Sequence, residues 1–406
     1  MPAIVDYPTV VKEVLDVFAP QFANEPERRH FAEYLTGRMI APQKNVSAIN
    51  REFAATTDQS CLNRWLTEAV WEEEALTLQR IEWLQQSRET RFSKRGVIPI
   101  DNVRIDHTGK LLQEVGYFWD HAEQRYKIAQ DYLIVNYVCT SGKHYPLEFY
   151  RFVNREHCEQ QGIEFRDHNV RFRQWVDGVM ANNLPGDFTF DSWFTNKDNL
   201  NYLHGRERAY VGDLKVNRKR LVGGREIKAE DFAAQIAPAD RKEIRVGDKR
   251  QWYFTRSVRL PGVDHKVRVV ILWGHRHDAK VKKILVTNRT GWDVIRILKV
   301  YRYRGTGTEC FHRDGQQQLG MGDCPLRSDL GQTRHLSLVF LAYSVLRRQL
   351  GQSRAQGWAL ERRTTIGQAC RAVWRQTLSD TLAWVIERIK VDCWDFQKIK
   401  VHWALP

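Results

Sequence analysis

The chain has 406 residues, enough for two to four structural units at roughly 100 to 200 residues each, so a single small binding module is excluded. Hydrophobic residues make up 42% of it and include 14 Trp, which excludes the hydrophobe-poor composition of a disordered chain. Lys and Arg number 63 against 49 Asp and Glu, a net charge of +14, which excludes an acidic protein and points to a polyanionic partner.

The opening segment, Met1 to Phe18, has no basic stretch leading into an apolar one and predicts no secretory leader. Apolar residues at three- and four-residue spacing predict helices over residues 8–90, first at Val10, Val11, Val14, Leu15 and Phe18, then at Leu62, Trp65, Leu66 and Ala69. Capping residues at Asn45 to Ser47 and Thr57 to Ser60 predict two short helices, Val46–Phe53 and Gln59–Thr67. Such a pair fits a helix-turn-helix DNA reader with Asn63 and Arg64 as contacts, and equally a plain helical bundle. Residues 1–90 carry 9 basic and 14 acidic side chains, so any DNA contact there rests on a few placed residues rather than bulk attraction.

After a basic linker, Arg91 to Arg95, the run Gly96 to Val103 reads as a buried strand. Leu111–Trp119, Lys127–Cys139 and Glu148–Val153 continue it as an antiparallel set. Arg166–Asn182 has helical spacing, Gly186–Asp191 is a strand, Asn196–Leu203 a helix and Ala209–Leu214 a strand. At Lys215 this alternation stops. Residues 215–280 read as a basic insertion with two strands, Gln251–Leu260 and Lys266–Trp273, on either side of Pro261-Gly262. Residues 215–300 hold 22 basic and 9 acidic groups, and each phosphate neutralised by such a surface releases condensed counterions. Val281–Thr287 resumes the strands, and Trp292–Arg304 and Thr308–Leu319 read as helices. Leu336–Leu350 and Thr364–Lys390 predict a helical C-terminal region. Its longest apolar stretch, Leu336 to Leu346, is too short to span a bilayer, so the expectation is a soluble intracellular protein. The 7 cysteines form no C-x-x-C pair, which argues against a zinc ribbon or disulfide framework, and Cys310, His312 and Cys324 lack the spacing of a zinc site.

Three acids occupy informative places: Asp101 within the first strand, Asp191 at the end of a later one, and Glu309 near the start of a helix. Only a fold brings them together, and neighbouring strands of one sheet with a helix across their ends would do so. Carboxylate oxygens are hard ligands suited to Mg²⁺. Two such ions, roughly 3.5 to 4 Å apart, activate the attacking oxygen and stabilise the leaving oxygen in phosphodiester chemistry. Asp106 rivals Asp101. Asp101 is preferred because it directly follows the apolar run Val97-Ile-Pro-Ile100, whereas Asp106 is expected to begin a polar turn.

Most of the chain resembles the DDE-type insertion-sequence transposases. The segment Ile100-Asp-Asn-Val-Arg-Ile-Asp-His-Thr-Gly-Lys110, followed by Val115-Gly-Tyr-Phe-Trp-Asp120, is similar to their first motif, and Phe190-Asp-Ser-Trp-Phe-Thr195 with Tyr210-Val-Gly-Asp-Leu-Lys215 to their second. Val300 to Gly320 resembles the third, the Tyr-Arg-Glu-Lys signature helix, and Cys61 to Trp71 resembles a segment of one branch. Two departures stand out. One extra residue separates Arg304 from Glu309, and Gln316 stands where the signature has Lys, with His312 and Arg313 as substitutes for the lost charge.

The resemblance implies an α/β fold with a ribonuclease-H-like mixed-sheet core, residues 91–214 and 281–325, interrupted by the basic insertion 215–280. A helical DNA-binding domain, 1–90, and a helical region, 326–406, would flank it. It implies a DNA transposase in which Asp101, Asp191 and Glu309 hold two Mg²⁺ ions, with Mn²⁺ as a substitute. Tyr301, Arg304, His312, Arg313, Gln316, Lys215, Arg218, Lys219 and Arg220 would contact double-stranded DNA, and one of Trp193, Trp252, Trp273 or Trp292 would stack on an extruded base. A homodimer is the simplest assembly that holds two element ends, and the expected location is cytoplasmic and nucleoid-associated. The rival readings are a non-cleaving DNA-binding regulator and a nuclease of the same fold without strand transfer.

Overall fold

The structure, a computed structural model, describes residues 4–109, 112, 114–120, 123–217, 219–222, 225–350, 363–392, 394, 395, 397 and 398. Five helices come first: α1 (Thr9–Phe18), α2 (Glu25–Ile40), α3 (Val46–Arg51), α4 (Gln59–Thr67) and α5 (Glu73–Gln85). Four strands follow: β1 (Val97–Asp106), β2 (Gly116–Asp120), β3 (Arg125–Val138) and β4 (His144–Arg151). Next come α6 (Arg155–Gln161), α7 (His168–Ala181), β5 (Asp187–Phe190), α8 (Lys197–Gly205) and β6 (Tyr210–Asp213). The basic segment contains β7 (Lys219–Val222), β8 (Arg225–Lys228), α9 (Ala229–Ala234), β9 (Lys242–Val246), β10 (Lys249–Arg259) and β11 (Lys266–Trp273). The chain continues through β12 (Lys283–Thr287), α10 (Val294–Arg304), a π-helical turn (Gly305–Glu309) and α11 (Cys310–Leu319), then α12 (Asp329–Gln349) and α13 (Ile366–Val391). The fold is mixed α/β, with a mixed sheet and helices towards both ends of the chain.

Two compact units divide the described residues. One takes residues up to 91, 104–130 and from 311 onwards; the other takes 92–103 and 131–310. The terminal helical regions, separate in sequence, thus share a unit, while the basic segment shares one with the strands that precede Asp101 and Asp191.

The second unit is built on the order β3-β1-β5-β6-β12-β11-β10-β7-β8, with β4 on the free side of β3 and β9 on β10. β1 and β5 are parallel, with Ile100 opposite Phe190, and β5 and β6 are parallel, with Phe190 opposite Gly212. β12, β11 and β10 extend the sheet antiparallel. These strands are near-continuous apolar runs, Val-Ile-Pro-Ile in β1 and Val-Val-Ile-Leu-Trp in β11, as strands covered on both faces require. Helix α10, capped by Asp293 on the Arg296 amide, lays Val294, Ile297 and Val300 against Val97, Val138, Val211, Leu272 and Leu285. Two strands were expected in the basic segment and appear as β10 and β11. The segment also folds α9 and the short basic strands β7, β8 and β9, whose Lys- and Arg-rich sequences carry no clear apolar alternation.

In the first unit, α12 is buried along nearly its whole length. Several of its polar residues find partners inside the unit: the Tyr34 hydroxyl lies 2.8 Å from His335 Nδ1, and Arg334 donates to the carbonyls of Leu66, Ala69 and Trp71. The expected helices at Val46 and Gln59 are present as α3 and α4. Asp106 does not open a turn, since β1 runs through it; of the strand expected at Leu111–Trp119, the part from Gly116 is seen as β2, while Leu111 and Gln113 lie outside the described residues. Among the described residues no helix is long and apolar enough to cross a membrane.

Candidate active site

The parallel register of β1 and β5 does the first part of the assembly. Because Ile100 pairs with Phe190, Asp101 and Asp191 are the next residues on two adjacent chains, and adjacent strands lie about 4.8 Å apart. Asp101 is buried, with 9% of its surface exposed. Its carboxyl is pushed up to about 6, first by burial and then by the nearby charge of Asp191, against the opposing pull of Arg304. Asp191 is half-buried and held by its own turn: its Oδ1 accepts from the Trp193 amide at 2.9 Å, and its carbonyl accepts from the Thr195 hydroxyl at 2.8 Å.

The second part comes from the end of α10. Arg304 Nη1 donates to Asp101 Oδ2 at 2.5 Å, and Arg304 Nη2 donates to Glu309 Oε1 at 2.9 Å. A residue five positions away is an awkward neighbour in an α-helix, which brings i, i+3 and i+4 together. Here the backbone widens into a π turn, in which the Cys310 amide bonds the Gly305 carbonyl. The extra residue between Arg304 and Glu309 is thus absorbed as a π turn that sets Glu309 beside Arg304. Gly307 permits the close approach: a Cβ there would lie 2.5 Å from Pro99 Cγ and 2.8 Å from Val138 Cγ2. Thr308, fully buried, sets its hydroxyl 2.7 Å from the Arg304 carbonyl and 3.3 Å from Asp101 Oδ2, with one proton to give to either.

Of the other expected residues, Tyr301 joins an ion network rather than standing free for a phosphate. Its hydroxyl donates to Asp213 Oδ2 at 3.2 Å and accepts from Lys283 Nζ at 2.9 Å, while Lys283 also pairs with Asp213 at 3.1 Å. Lys215 is exposed, with its ammonium 5.5 Å from the ring centroid of Trp193, which is itself 60% exposed. Trp252 and Trp292 are partly buried beneath Arg250 and Arg296. Trp273 is fully buried under Arg241 and corrects its assignment as a stacking residue, because it reaches no ligand without opening the core. His312, Arg313 and Gln316 belong to the first unit, where Arg313 pairs with its neighbour Asp314 at 3.0 Å. Arg218 lies outside the described residues; Lys219 and Arg220 begin β7.

Sequence reasoning missed Thr308, Asp213 and Lys283. The signal for Asp213 was present, since it closes a short apolar strand much as Asp191 follows one.

The donor chemistry fits a hard divalent cation: one carboxylate on β1, one directly after the adjacent β5, and a third, mostly exposed, on the π turn. Among the described residues no three His, Cys, Asp or Glu side chains form a closed cluster, and Arg304 lies between Asp101 and Glu309. No protein-family model matches the chain, and no curated protein matches it.

Proposed function

We propose that the chain is a DNA transposase with a ribonuclease-H-like core, which cleaves the ends of its own element and joins the freed 3′ hydroxyls to target DNA. The observation that carries this reading is that Arg304 bridges Asp101 and Glu309, 208 residues apart, while Asp191 lies close enough to Asp101 to raise its carboxyl. A buried carboxyl pushed up beside a second carboxylate is typical of sites tuned for chemistry or cation binding. The strand order supports the same reading, with β5 and β6 following parallel on one side of β1 and β3 with β4 on the other.

Asp101, Asp191 and Glu309 would hold Mg²⁺, or Mn²⁺ in its place, which supplies activation of the attacking oxygen and stabilisation of the leaving one. The chain's own residues do the rest. Exposed Lys215, stacked on Trp193 beside Asp191, offers a phosphate contact next to the acids. Two element ends call for two active sites, so the active complex is a homodimer. Helix α13 offers a surface for a second copy, with Trp374, Leu378, Leu382, Ile386 and Ile389 exposed along one row.

The test is a strand-transfer assay on duplexes cut from the DNA that flanks the gene. Joining of their 3′ ends into a plasmid, with Mg²⁺ and the wild-type chain, is the expected result. Cleavage without joining assigns the chain to the nucleases, and end binding without cleavage assigns it to the regulators.

A further inference from the structure

Arg304 is held in an unusual way for a residue expected to contact phosphate. Its side chain is 17% exposed, and its two terminal nitrogens are committed to two carboxylates from different parts of the chain. Among the described residues nothing accepts from its Nε, so the two acids hold its terminal nitrogens, with Tyr301 packed beside the guanidinium. Both accepting atoms, Asp101 Oδ2 and Glu309 Oε1, are oxygens that a cation ligand set would need. A guanidinium carries five donors and no acceptor, so it cannot share a cation's ligand sphere; two positive charges would have to meet over the same oxygens.

We infer that Arg304 is an internal counter-ion of the acidic site, which a divalent cation must displace from Asp101 and Glu309. The inference rests on the functional reading above, in that it takes those acids to be cation ligands. Displacement frees a planar two-pronged donor suited to a phosphate oxygen pair, so cation binding and phosphate capture favour each other. Without DNA the arginine keeps the acids paired and the cation weakly bound. With DNA, the phosphate takes the arginine and the acids become available to the cation. The π turn sustains the arrangement, since it brings a residue five positions on within reach of Arg304.

The test measures Mn²⁺ binding to the full chain by electron paramagnetic resonance of the free ion, above neutral pH, with and without a short duplex. Without DNA, Arg304→Gln should bind Mn²⁺ at least about tenfold more tightly than wild type, a difference of about 1.4 kcal/mol. Arg304→Lys, which keeps the charge but cannot span both acids, should fall between them. Added duplex should tighten Mn²⁺ binding to wild type and leave Arg304→Gln unchanged. If wild type and both variants bind equally, or the variants bind more weakly, and Asp101→Asn abolishes binding in each, the counter-ion role is overturned while the acids remain cation ligands. If no binding depends on Asp101 in any variant, the functional reading fails and the inference with it. Should Arg304→Gln lose its circular dichroism signature of folding, the lysine variant decides, and an unchanged affinity there overturns the inference.

Discussion

Strand β1 carries two aspartates five residues apart, each grouped with two further carboxylates and a cation, and the two groups behave differently. Asp106, Asp120 and Glu123 all face Lys127, with Asp106 and Asp120 at 2.9 and 2.8 Å from its ammonium. The carboxylates of that group reach solvent, and the hydrogen bonds that the lysine donates to the three acids hold it above its usual range. Asp101, by contrast, is buried, shares its neighbourhood with Asp191, and is pushed up to about 6 although Arg304 touches it. Charge composition is the same in both. Burial of Asp101 makes the difference: water reaches and screens Asp106 and Glu123, while Asp101 retains an electrostatic demand that its arginine only partly meets. Acids alone therefore do not mark a reactive site; acids that the fold has removed from water do.

The π turn offers the sharpest way to break this comparison. A chain with one alanine inserted after Thr306 would put Glu309 six positions beyond Arg304, where neither an α nor a π turn brings the two together, and turn it by about 100° away. Cleavage of end DNA should then fall at least about a hundredfold, a loss of roughly 2.7 kcal/mol in transition-state stabilisation. Lys127→Met, which dismantles the first group, should leave the same rate within about twofold if its charges are only a solvated face.

Packing separates the two surroundings next. Gly307→Ala drives a methyl into Pro99 and Val138 and should cost about 1–3 kcal/mol in urea unfolding, the usual range for overpacking. Gly109→Ala, just beyond Asp106 and with nothing within 4 Å of the new methyl, should leave the midpoint unchanged.

A histidine gives a smaller, independent measure of burial in the second unit. His265 stacks on His204 with centroids 3.8 Å apart, and its Nε2 lies 2.9 Å from the Tyr210 hydroxyl. Burial, then the His204 charge, lowers it to about 4. The folded state thus resists protonation, so its contribution is full above the ordinary value of about 6.5 and is lost as pH falls towards 4. Stability should drop by on the order of 1–2 kcal/mol between those limits, and His265→Gln should flatten that part of the profile. An unchanged slope in the variant would assign the acid sensitivity elsewhere.

How much of this was legible follows from the kind of signal each residue leaves. Asp101 and Asp191 announce themselves, because an acid directly after Val-Ile-Pro-Ile or Phe-Thr-Phe interrupts a core strand, and the strands formed where those runs predict. Glu309 was found through resemblance, and the extra residue before it was visible as a spacing. Its form was not, because a π turn depends on contacts with Pro99 and Asp101, some two hundred residues earlier. Arg304 reads as a surface cation for the same reason: Asp101, its buried partner, lies 203 positions earlier. Trp273 reads as one of four stacking candidates because aromatic identity carries no information on depth, whereas its cross-strand partner Trp252 stays partly accessible. The joining of α2 to α12, as at Tyr34 and His335, spans 301 positions and leaves no periodic trace.

The central claim is that Asp101, and not its neighbour five residues along the same strand, belongs to a cation-dependent DNA-cutting centre. The most direct test compares Asp101→Asn with Asp106→Asn on duplexes carrying the element's ends, with Mg²⁺ present and end binding measured alongside cleavage. The account predicts that both variants bind the ends within a few-fold of wild type, that Asp106→Asn cuts them at close to the wild-type rate, and that Asp101→Asn does not cut. Cleavage by Asp101→Asn, or its loss in Asp106→Asn alone, would contradict it.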